Sequence, residues 1–123
     1  MLNPYSEHER IAAMISACLR ASRSHFNHLT IRDVIDPPRD LPDAQLARQI
    51  AVHILELEFQ VPRRRMVKLM GMARTTVLGA MRTVDYRLHE PVFERAYARI
   101  AARSKDLFME TMHADAANME DAA

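Results

Sequence analysis

The chain has only two glycines in 123 residues, and both fall in one stretch, RRRMVKLMGMARTTVLGAMR, residues 63 to 82. So little glycine leaves few positions for tight turns or positive-φ backbone. The chain is rich instead in Ala, Leu, Met, Arg and Glu, which lose least on entering a helix. Apolar residues recur at three and four positions, and no segment alternates with the period of a strand. This predicts an all-α fold, a compact bundle of about five or six helices. Glycine within a helix costs about 1 kcal/mol relative to alanine, so two glycines in one helical pattern need a physical reason.

The pattern divides the chain as follows. Ser6 and Glu9 have capping-box spacing before Ile11, Met14, Ile15, Cys18 and Leu19, which predicts a helix over Glu7 to Ser24. Thr30 and Asp33 repeat that spacing before a short helical turn at Ile31 to Ile35, ended by Pro37 and Pro38. After the connector DPPRDLPDAQ, Asp40 or Asp43 can cap a helix over 43–58 whose face is Leu46, Ile50, His53, Ile54 and Leu57. Pro62 opens a helix that stops at Gly71, and a further helix starts near Ala73 and runs through Leu88. Pro91 precedes a last helix with Phe93, Tyr97, Ile100, Ala101, Leu107, Phe108 and Met112 on its face. One domain over 1–112 follows, with 113–123 an acidic tail that lacks an apolar stripe and is expected to be frayed.

Two short helices separated by a glycine are the pattern of a helix-turn-helix. Gly71 supplies the positive φ of the tight turn. Met66, Val67 and Met70 face inward, Met72 plugs the turn, and Val77 and Ala80 anchor the second helix. Gly79 lies on the outward face, where a missing side chain lets a helix seat deeply in a groove; a tolerated flaw is the competing reading.

Net charge is +1, yet residues 61–88 hold seven basic side chains against Asp85 alone. Residues 106–123 hold five acids and no Lys or Arg. A local basic cluster attracts phosphate even in a near-neutral protein. Arg63, Arg64, Arg65 and Lys68 lie on the helix that crosses the DNA backbone in this motif, with Thr76 and Arg82 as further phosphate contacts. Arg74, Thr75, Leu78 and Gly79 fall where the second helix meets base edges.

The segments LARQIAVHILELEF and VPRRRMVKLMGMARTTVLGAMRTV resemble the DNA-binding C-terminal domain of the bacterial replication initiator DnaA. The likeness covers about Glu9 to Leu107. It implies a DnaA-like helical fold in which Arg48 enters the minor groove and Thr75 helps read the major groove, followed by Thr76, Val77 and Leu78. The family's Asp-His before the threonines is Ala73-Arg74 here, the turn is one residue shorter, and an acidic connector replaces a basic loop. The family's ATPase domain is absent from this sequence, so origin opening by nucleotide-dependent assembly is not expected. Stand-alone DnaA-like modules also occur among alphaproteobacterial activators of gene transfer agent genes, and the chain resembles these.

The leading expectation is a sequence-specific double-stranded DNA-binding transcription regulator, an activator whose acidic end contacts RNA polymerase or a co-activator. A modulator of replication at DnaA-like sites and a protein-interaction adaptor remain open. No Gly-rich phosphate loop, nucleophile elbow or Cys-x-x-Cys is present, so no enzyme and no cofactor are expected. His25 and His28 lack a third ligand for a metal, and His53 reads as a satisfied core histidine. Glu56 and Glu58 read as solvated helix faces, and the methionines as core filler. No membrane span or signal peptide is seen, and the lone Cys18 has no disulfide partner, so the expected location is cytoplasmic and nucleoid-associated. The oligomeric state is left open.

Overall fold

The structure is a computed structural model that describes residues 6–122. Among these residues the chain forms six α-helices and no strand: α1 Glu7–Ser24, α2 Ile31–Ile35, α3 Pro42–Leu57, α4 Arg63–Met70, α5 Arg74–Arg87 and α6 Pro91–Ala122.

The local chemistry explains most of the boundaries. The Ser6 side chain accepts from the Glu9 N–H at 3.4 Å and starts α1. Thr30 and Asp33 form a reciprocal capping box at 3.2 and 3.0 Å, so α2 survives at five residues. The expected cap of α3 by Asp40 or Asp43 is not made. Leu41 holds the N-cap position without a side-chain bond, and Pro42 begins the helix, where its missing N–H costs nothing. Asp43 instead meets His28 Nε2 at 2.9 Å. Pro62 is the N-cap of α4, and Gly71 ends that helix with φ 63°. Glu90 accepts from the Val92 and Phe93 N–H groups at 3.0 and 2.8 Å, which sets the start of α6. Those two bonds favour its carboxylate and lower its pKa.

The core is built around α3, which packs against α1, α2 and α5, while α6 lies along α1. A single stripe was expected on α3. The structure instead buries every residue from Ile50 to Leu55, together with Ala44 and Ala47, and leaves Leu57 53% exposed. Neighbours on several sides remove the need for a polar face, and the alanines let them approach. Ser22 Oγ donates to Ala47 O at 2.5 Å and ties α1 to α3. His53 is fully buried, as expected for a core histidine, and is bonded at both ring nitrogens. One meets Tyr97 Oη and the other Asp85 Oδ1, each at 2.7 Å. One imidazole thereby joins α3, α5 and α6.

Residues 113–122, expected to fray, continue α6 as helix. Alanines at 114, 116, 117 and 122 favour it, and no proline or glycine interrupts it. Packing does not hold this end, because Phe108 is the last α6 residue among the described ones to touch the core. No helix of the described residues is long and apolar enough to cross a membrane.

Candidate nucleic-acid interface

Residues 71–73 join α4 to α5. Gly71 takes the left-handed conformation that closes α4, Met72 is 6% exposed and inserts beneath the turn, and Ala73 is the extended N-cap of α5. Met66 of α4 and Val77, Ala80, Met81 and Val84 of α5 are buried; α4 packs on α5, and α5 packs on α3. Val67 and Met70 are half-buried and pack on this core. Once these residues are inside, the remaining positions must face solvent.

The outward side of α5 carries Arg74, Thr75, Thr76, Gly79 and Arg82, all exposed, with Leu78 half-buried beside them. The first turn of α5 has no side-chain cap, so N–H groups at its start are open to an anion. Gly79 occupies open space: a Cβ placed there would meet nothing within 4 Å. No internal contact therefore requires glycine at that position.

The four cations of α4 fall into two kinds. Arg63 is held by both carboxylate oxygens of Glu56, which raises its pKa through that hydrogen bond and the adjacent charge. Arg65 Nη2 donates to Glu7 Oε1 at 3.0 Å. Arg64 and Lys68 are exposed and have no ion-pair partner among the described residues, and the same is true of Arg74, Arg82 and Arg87. The Glu7 and Glu56 partners lie on α1 and α3. Glu58, read with Glu56 as a solvated face, takes Lys105 Nζ at 2.7 Å.

Arg48, expected to reach a minor groove, has an internal bond in this structure. It is half-buried, and Nη2 donates to Met70 O at 3.3 Å, at the C-terminal end of α4. Its Nε is buried without a partner. Burial lowers its pKa, opposed by the charge of Asp36. The structure presents it as a strut between α3 and α4 rather than as a free arm, and entry into a minor groove requires release of the Met70 bond.

Tyr86, 81% exposed on the outward side of α5, was outside the expected contact set. The signal was available: Thr75, Gly79, Arg82 and Tyr86 are spaced by four, three and four residues, which is one face of a helix. The described residues contain no group of three or more His, Cys, Asp or Glu arranged to hold a metal ion.

Comparison of the chain with protein-family models, with curated proteins and with solved structures gives no match.

Proposed function

We propose that the chain is a sequence-specific double-stranded DNA-binding protein that regulates transcription, with α4, the 71–73 turn and α5 acting as a helix-turn-helix. The observation that carries this reading is Gly79. It sits in mid-helix, exposed, with open space at its Cβ and no internal contact that needs it, on the same face as unpaired Arg82 and the threonines. A glycine that weakens its own helix without an internal return fits a position where another backbone comes close. Arg74 and Thr75 at the uncapped start of α5 read base edges, and Arg64, Lys68, Thr76 and Arg82 hold phosphates. The resemblance of residues 75–78 to the DnaA signature supports the same assignment. An acidic, helical C-terminal end that stays off the DNA and meets the transcription machinery fits an activator acting at the nucleoid.

The test is selection from a randomised duplex pool followed by titration of the recovered site. Arg74→Ala should cost about 1–3 kcal/mol at one base position and relax the preference there. Recovery of no preferred sequence, with binding equal to that of random duplex, would refute sequence-specific recognition.

A further inference from the structure

The outward stripe of α5 does not end with the residues placed at bases and phosphates. Thr75, Gly79 and Arg82 lead directly to Tyr86, the most exposed of the large hydrophobic side chains among the described residues. Eleven residues separate Thr75 from Tyr86, or about 16 Å along a helix. The B-DNA major groove is about 12 Å wide. A helix with Thr75 at the groove floor therefore brings Tyr86 to a groove wall, where the sugar-phosphate backbone runs. Tyr86 is not alone there. With Arg82, Thr83 and Arg87 it lines a shallow surface depression, and neither arginine has an ion-pair partner among the described residues. Two acids lie close by and both are engaged: Asp85 is bonded to the buried ring of His53 at 2.7 Å, and Glu90, which lines an adjoining depression with Tyr86 and Arg87, accepts from the Val92 and Phe93 N–H groups.

Building on the DNA-binding reading, we infer that Tyr86 and Arg87 form a second anchor for the DNA backbone at the far end of α5. The Tyr86 hydroxyl donates to a phosphate oxygen and its ring lies against the adjoining sugar. Arg87 supplies the positive charge, next to Arg82. The anchor carries no sequence information of its own; it sets how far α5 advances along the groove.

The experiment uses the full chain and a fluorescent duplex, with affinity measured by anisotropy over a series of salt concentrations. Tyr86→Phe keeps the ring and removes only the donor. It should weaken binding several-fold without changing the salt slope or the base preference. Arg87→Gln should reduce the magnitude of the slope of log K against log[salt] by about 0.9, the value of one phosphate contact. Phosphate-ethylation interference should lose one signal in Tyr86→Phe and keep the rest. Both side chains are exposed, so circular dichroism should show native helix in each variant. Unchanged affinity in Tyr86→Phe, or an altered base preference in either variant, overturns the anchor while leaving DNA binding in place. Failure of the unaltered protein to bind any duplex overturns the DNA reading and the anchor together.

Discussion

The two glycines should answer substitution in opposite ways. Gly71 has φ 63°, a conformation that costs an L-residue about 1–2 kcal/mol because its Cβ crowds the following carbonyl oxygen. Gly71→Ala should therefore lower stability by about 1 kcal/mol although open space surrounds the new methyl group. Gly79→Ala should raise the melting temperature by an amount equivalent to about 1 kcal/mol, since only the helix propensity changes. On DNA the same methyl group should reduce affinity. Thermal melting beside duplex titration checks both signs, and a Gly79→Ala protein that is more stable and binds equally well would remove the close approach at that position. Cys18 makes a separate test. It is fully buried, and burial pushes its thiol up to about 12 from an ordinary 9.0, against a smaller opposing bond from Ser104. The unfolded chain releases this proton near pH 9 while the native chain keeps it. Stability from this group is thus intact below pH 9 and is lost progressively between pH 9 and about 12. Urea melts at pH 8 and pH 10 should show the wild type losing stability relative to Cys18→Ala, and a thiol reagent at pH 8 should be inert until the protein opens.

At the scale of the helices, α4 separates charge from availability. Its four cations look equivalent in sequence, but Glu56 and Glu7 already engage Arg63 and Arg65. Arg64→Ala and Lys68→Ala should each reduce the magnitude of the salt slope by about 0.9 on every duplex. Arg63→Ala and Arg65→Ala should change it less, because a phosphate must first displace a carboxylate. Equal slopes across all four variants would show that the carboxylate pairs do not persist on DNA. The helices themselves were legible because their signals are local: a capping pair, a proline, a glycine and a three-to-four repeat each act within one turn. The bounds expected for α1 and α2 coincide with those observed. The Arg65–Glu7 pair was not legible, since 58 residues separate its members and only the packing of α1 brings them together. The bond made by Arg48 was illegible for a related reason. The role expected of this residue came from a resemblance, whereas its partner here, the Met70 carbonyl, exists only once α3 and α4 meet. The end of α6 shows the opposite error. The loss of the apolar stripe predicts a loss of helix, but alanine content sustains the helix past Phe108, the last of its described hydrophobic residues to pack on the core.

For the molecule as a whole, the His53 network fixes how the two ends of the chain's charge pattern are joined. The ring bonds to Asp85 on α5 and Tyr97 on α6 inside a core otherwise built almost entirely of apolar side chains. His53→Leu should cost about 2–4 kcal/mol, because it strands the Tyr97 hydroxyl and removes a charge-assisted bond to Asp85. Tyr97→Phe should cost about 1–2 kcal/mol, and the two losses should not add, since they share a bond. Chemical denaturation of the single and double variants measures the coupling directly. Beyond Phe108, in contrast, no hydrophobic residue of α6 among the described ones packs on the core, and deleting residues 113–123 should leave duplex affinity unchanged or slightly raised.

That same terminal segment also governs how the protein moves in solution. A 32-residue helix is about 48 Å long, whereas a compact chain of this length has a radius of gyration of about 14 Å. The last turns of α6 therefore form a short mast. Rotational diffusion should be faster about the helix axis than across it. Removing the final eleven residues should shorten the maximum dimension in small-angle scattering by more than the accompanying loss of mass implies.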